Sequence, residues 1–306
     1  MKRNLSLFAS AAMCAALPVA AQEVKTYPAP SEIVASAKAG EWVAIAPSDL
    51  MVMDLAPDSK GKPRRVVIQL IPAPFSQGWV SNIRKLAAAR FWDGASINRV
   101  QDNYVAQWGD ATEKKALPEG LATVEQKNYI TPNWPGKVWI FARARGRRDA
   151  YAAAHGFFVG WPLAASSEGL WPTHCYGMVG VGRNLSPDTG TGAELYTVIG
   201  HAPRHLDQNI ALVGRVIEGI EHMSSLPRGT GQLGFYEKEE ERVPIRSVRL
   251  GNETKDVPAF EYLFTDSNSF AAYADARANR RDPFFNVPAG GADVCNIQVP
   301  VRRKIR

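Results

Sequence analysis

The chain carries one long helical stripe early on, over residues 75–91, and otherwise offers its apolar residues in runs of strand length. Within 75–91, Phe75, Trp79, Ile83, Leu86 and Ala87, closed by Phe91, recur at helical spacing and leave one face to bury. Asn82, Arg84, Lys85 and Arg90 fall away from that face or at its border. Before the helix, 51–55 (MVMDL) and 65–71 (RVVIQLI) read as strands joined by a turn with Pro57, Asp58, Gly61 and Pro63, which makes a hairpin. Further strands are expected at 137–144 (KVWIFARA), 176–181, 195–199, 212–216 and, last, 243–250. Short helices are expected at 31–39, 151–155 and 217–223, a late one at 270–277, loop at 156–162 and coil in the tail. Short strands with so few helices between them do not fit a βαβ plan, in which each parallel crossover takes a dozen residues or more. They fit a mainly β architecture, a closed or sandwiched antiparallel sheet capped by helices.

The first residues bear on compartment. Met1, Lys2 and Arg3 are a basic start, 5–16 is an uncharged apolar run, and Val19, Ala20 and Ala21 supply small residues for cleavage before Gln22. That is the pattern of a signal peptide over 1–21. The run is too short to span a bilayer, Met13 before Cys14 is a poor lipid-attachment signal, and no later segment has the length and apolarity of a span. The expectation is an exported protein, periplasmic if the source is Gram-negative. Cys175 and Cys295 then remain, an even count that permits one disulfide in an oxidising compartment, with two separate buried thiols as the alternative. The net charge of +6 is spread over local clusters at 145–148, 277–281 and 302–306 without any recognition motif, so nucleic acid is not an expected partner. Nothing signals an oligomer, and a monomer is expected.

The familiar catalytic signatures are missing: G-x-S-x-G, H-E-x-x-H, a P-loop and C-x-x-C all lack a match. His201 and His205 have i,i+4 spacing, but Pro203 between them breaks the helix that would align them. His174 has no partner nearby in sequence and reads as structural, Asp207 as a turn former and Met178 as core. No metal and no cofactor are expected. The stretch 93–110, DGASINRVQDNYVAQWGD, stands apart. It starts in an Asp-Gly turn and alternates apolar with polar residues, yet places Arg99, Tyr104 and Gln107 where a sheet face would carry ordinary polar residues.

The order hairpin, amphipathic helix, Asp-Gly turn, Ile-Asn-Arg-Val and Tyr-x-x-Gln-x-Gly-Asp, then Tyr-Gly-Met-Val, Gly-x-Gly-Ala-Glu-Leu-Tyr-Thr-Val, His-Leu-Asp and Val-Gly-Arg-Val-x-x-Gly, resembles the cyclophilins, the cyclophilin-type peptidyl-prolyl cis-trans isomerases. In that family the opening stretch runs approximately Asp-Gly, aromatic, His, Arg-Val, then Phe, Gln and Gly-Gly-Asp. The resemblance covers about 50–110 and 174–250 and implies a closed eight-stranded antiparallel barrel with helices at its ends. The chain then divides into a signal peptide at 1–21, an N-terminal segment at 22–48, the cyclophilin-like domain at 49–250 with a long insertion at about 111–173, and a C-terminal extension at 251–306 packed on the barrel.

The resemblance also implies a groove for proline-containing polypeptides, unfolded or partly folded exported proteins among them. Arg99 takes the place of the catalytic arginine and Gln107 that of the glutamine that holds the substrate backbone. Tyr104, Val105, Tyr196 and Leu206 take pocket positions, and Glu194 and His205 stand where the family carries Gln and, in some members, Trp. Tyrosines replace the usual phenylalanines, and Val105 replaces a frequent methionine. These departures bear on substrate preference and leave Arg99 in place. The activity implied is rotation about Xaa-Pro bonds. The alternatives are a peptide-binding module of the same fold with little turnover, which an Ala or Leu at 99 would have favoured, and a scaffold using the insertion and tail as contact surfaces.

Overall fold

The computed structural model describes residues 27–132 and 149–304. Helix α1 (Pro30–Ser36) and strand β1 (Trp42–Ile45) lead to the hairpin of β2 (Leu50–Leu55) and β3 (Arg64–Leu70). Helix α2 (Gln77–Ala88) follows, then β4 (Ser96–Val100) and β5 (Val105–Gly109). The insertion contributes β6 (Ala154–Phe158), β7 (Trp161–Ala165) and β8 (Leu170–Pro172). Next come β9 (Met178–Val181), β10 (Leu195–Val198), β11 (Leu212–Glu218), α3 (Glu221–Ser224) and β12 (Val243–Leu250). Beyond residue 250 lie β13 (Phe260–Leu263), α4 (Asn268–Ala278) and β14 (Val301–Arg303).

Eight strands close a barrel in the order β10-β5-β4-β12-β2-β3-β11-β9, every neighbouring pair antiparallel. Side chains alternate across a strand, so every second residue can fill the interior. Ile97 and Val100 on β4 and Ala106 and Trp108 on β5 join the inner core, with Met51, Met53 and Ile68 from the first hairpin. Helix α2 buries its expected stripe, Trp79, Ile83, Leu86 and Ala87, in the same core. Asn82 is not at a solvated border: it is fully buried. Its amide donates to Ala122 O (2.8 Å) and Thr191 O (3.1 Å) and accepts from Ala122 N–H (2.8 Å). A buried amide is tolerated when its polar atoms are paired, and here it ties the helix to the start of the insertion.

Four expectations need correction. Residues 151–155 are not a helix. Ala154 begins β6, and 156–162 is the hairpin into β7, turning at Val159 and Gly160, whose φ is +81°. The run of alanines favours helix locally, but cross-strand pairing decides. The segment 217–223 stays in β11 through Glu218, which pairs with Val67, and turns helical only at Glu221. Strand β12 is not the last: β13 and β14 join β1 in a second sheet, with Trp42 opposite Leu263 and Phe260 opposite Arg303. These strands of three or four residues are set by partners far away in sequence, and their periodicity is too brief to register. The expected strand at 137–144 and the leader at 1–21 lie outside the described residues.

The insertion and the extension share a core. Phe157 of β6 packs with Trp42, Leu263, Phe270 and Tyr273. Arg215, buried on the outer side of β11, fastens the insertion to the barrel and lies 6.0 Å from the Tyr262 ring centroid of the extension. Its guanidinium donates to Gln69 Oε1 (2.9 and 2.7 Å) and Gly160 O (2.7 Å) and lies 4.6 Å from the Trp161 ring centroid. With no acid beside it, burial pulls its pKa down to about 10. Cys175, just before β9, and Cys295, in the extension, form a disulfide.

Candidate active site

Arg99 lies directly opposite Gln107 in the β4–β5 ladder, and Gln107 lies opposite Tyr196 in the β5–β10 ladder. Two residues of one hairpin and a third some ninety positions on thus stand in one row across the barrel's outer face. A bulge between Ile97 and Arg99 re-aims β4 at this point, the kind of local kink that turns one side chain outward.

Each nitrogen of the Arg99 guanidinium makes one hydrogen bond. Nε donates to Leu233 O (2.8 Å), Nη1 to Gln107 Oε1 (3.1 Å), and Nη2 to Gln101 Oε1. A guanidinium has five N–H donors, so these bonds leave one on each Nη, and Arg99 lines the groove. The Tyr104 and Phe235 ring centroids lie 5.9 and 5.4 Å from the guanidinium carbon. Burial draws the Arg99 pKa below its ordinary value, yet an arginine starts high enough to stay charged.

Beside this row Val105, Tyr196 and Val198 form a small apolar cluster, separate from the barrel core, with Tyr104, Leu206 and Ile210 packed on it. Here β5 and β10 turn apolar residues outward as well as inward, which only a covered or ligand-binding face would favour. Gly109 makes room at one end: a Cβ there would come within 1.7 Å of Glu194 Oε1. Burial, opposed by hydrogen bonds from the Gln107 side chain and the Asp110 backbone, pushes the Glu194 carboxyl up to about 7, and Glu194 Oε2 has no hydrogen-bond partner.

Arg99, Tyr104, Val105, Gln107, Glu194, Tyr196 and Leu206 line one groove of about 700 Å³. His205 does not line it: it is exposed and stacks on Tyr104 at 6.3 Å between ring centroids. Sequence reasoning missed Leu233 and Phe235, which also line the groove. Their segment reaches Arg99 through an Arg99–Phe235 bridge and a Tyr236 N–H to Asn98 O bond (3.0 Å). No motif marks it, and only the tertiary pairing brings it there.

A model of the family described as cyclophilin type peptidyl-prolyl cis-trans isomerase/CLD matches residues 62–250. The chain belongs to that family. It is a cyclophilin, and the matched span runs from just before β3 to the end of β12. As a cyclophilin-type peptidyl-prolyl cis-trans isomerase it acts on proline-containing peptides. A crystal structure of a cyclophilin from Hirschia baltica superposes with a TM-score of 0.64 at 21% identity, covering 85% of this chain and 92% of that one. That likeness extends past the family span and shows a shared fold. A Cryptosporidium parvum cyclophilin type peptidyl-prolyl cis-trans isomerase, solved in the presence of the dipeptide Ala-Pro, has a TM-score of 0.39 at 9% identity, with 65% of this chain and 98% of that one covered. No curated protein matches the chain.

Proposed function

We propose that this cyclophilin isomerises Xaa-Pro bonds by donation from Arg99 to the prolyl nitrogen, with the ring held in the Val105–Tyr196–Leu206 cluster. Amide resonance sets a barrier of about 18–20 kcal/mol, and uncatalysed Xaa-Pro bonds turn over in tens to hundreds of seconds. Twisting the bond localises a lone pair on nitrogen. A cationic donor aimed there favours the twisted state over both planar ones, which is what lowers the barrier. The two Arg99 N–H groups left over from Leu233, Gln107 and Gln101 supply the donor. Gln107 is spatially between Arg99 and Tyr196 and holds the peptide backbone while the carbonyl side rotates. No nucleophile, base, metal or redox group enters the step.

The observation that carries the reading is the shared row of Arg99, Gln107 and Tyr196 beside an outward apolar cluster. The leader-like residues 1–21 support a role in folding exported proteins, in the periplasm of a Gram-negative source. The test is a protease-coupled isomerisation assay on an Ala-Pro peptide with the mature chain and Arg99→Ala. A loss of about 100-fold in kcat/KM with circular dichroism unchanged is expected, the scale of removing one transition-state donor. A wild-type chain inactive on several Xaa-Pro sequences would instead leave a peptide-binding module.

A further inference from the structure

The groove's aromatic wall is fastened from behind by a buried polar chain. His174, fully buried between β8 and β9, has Nδ1 2.9 Å from Asp207 Oδ1 and Nε2 3.0 Å from the Tyr196 hydroxyl. Its backbone N–H donates to the same Asp207 oxygen at 2.9 Å. Asp207 Oδ2 accepts from Arg204 Nε at 2.5 Å, and both Arg204 Nη atoms donate to Asp149, at 3.0 and 3.3 Å. Asp149 belongs to the insertion and lies 3.4 Å from His155 of β6. The side chains of His174, Asp207, Arg204 and Asp149 are each no more than 3% exposed.

The direction of the bonds follows from charge. Asp207, facing Arg204, is a carboxylate and only accepts, so the His174 proton sits on Nδ1. Burial holds the imidazole neutral, its pKa below the ordinary value. Nε2 then offers a lone pair, and the Tyr196 hydroxyl donates to it. The hydroxyl is taken up by His174, and the ring that lines the groove keeps its apolar character. A buried network with its members paired holds one arrangement of its side chains.

We propose that His174 is a positioning residue for the proline pocket, and that Asp207, Arg204 and Asp149 fasten it to the insertion. The insertion thereby sets how tightly the pocket grips proline without touching substrate. The proposal rests on the reading of this groove as the isomerase site. A purely structural network would move melting temperature and leave peptide affinity alone.

The test uses the full mature chain with two variants. His174→Asn keeps an amide near Nδ1 for Asp207 and removes the acceptor for Tyr196. Asp149→Asn acts from the insertion and preserves shape. An Ala-Pro tetrapeptide is titrated into each, followed by heteronuclear NMR, and its cis-trans exchange is measured at saturation. The expected result is a Kd and KM raised about 5- to 20-fold in both variants, with kcat within about twofold of the parent, the signature of lost substrate grip. Parental Kd in either folded variant would overturn the proposal. If His174→Asn fails to fold, Asp149→Asn decides alone. A parent chain that neither binds nor isomerises the peptide overturns the isomerase reading and this one with it, whereas a competent parent with unchanged variants overturns only this one.

Discussion

Gly180 of β9 lies directly beneath the ring of Tyr196: a Cβ there would come within 2.3 Å of Cζ and of the hydroxyl oxygen. Its backbone conformation is ordinary, so the requirement is for space alone. Gly180→Ala must displace the ring or the strand. A stability loss of about 1–3 kcal/mol is expected, the usual cost of overpacking. Peptide affinity falls with it. Urea denaturation and peptide titration check both, and an unchanged midpoint would show that the ring yields freely.

Glu194 gives the groove a pH dependence. Its carboxyl is raised from 4.5 to about 7 in the folded chain, mainly by burial. The folded state therefore binds more protons than the unfolded one between those values, and stability falls as pH rises through that window. The contribution is fully present below pH 4.5 and gone above about 7. Glu194→Gln carries no charge at any pH and should flatten this part of the profile. Melting temperatures at half-unit steps from pH 4.5 to 8 show whether the slope survives the substitution.

Arg215 is a charge that docks the insertion on the barrel. Arg215→Met leaves Gln69 Oε1 without its donors and Gly160 O without its Nη1 bond. Losing partners in a buried site costs about 1–3 kcal/mol. The barrel should persist while the 149–173 region becomes more sensitive to proteolysis. Limited chymotrypsin digestion, read by mass spectrometry, follows cleavage at Tyr151, Phe157 and Phe158, and digestion at the parental rate there would refute the docking role.

The Cys175–Cys295 disulfide closes a loop with a sequence separation of 120. The chain-entropy relation puts its ceiling at about 5 kcal/mol. Cys295→Ser should lower stability by a good part of that and release the extension before the barrel unfolds. Hydrogen exchange of α4 against β2 and β3 distinguishes the two. Simultaneous loss of protection in both would show one cooperative unit.

Much of the barrel was legible because its strands are compact apolar runs and the first hairpin carries turn residues. The stripe of α2 was legible by its apolar period. Arg99 and Gln107 were legible because a charged and an amide residue interrupt the apolar positions at fixed separations within a single hairpin. Asn82 was misplaced because a period cannot say which polar residue will find partners in a neighbouring loop. His205, next to Leu206 in sequence, is exposed by the turn at 204–206 and meets the groove through its stack on Tyr104.

What the sequence determined by itself is the class of fold and the hairpin that bears Arg99, Tyr104 and Gln107, since these depend on contacts a few residues apart. Only the tertiary structure decided the rest. It brought Leu233 and Phe235 to Arg99, linked His174 to Tyr196 and Asp207, and packed the insertion on the extension. Those contacts join residues tens to more than a hundred positions apart. Closing such loops costs entropy that depends only weakly on local sequence, and it is recovered only when the whole core forms. Local pattern therefore holds no record of them.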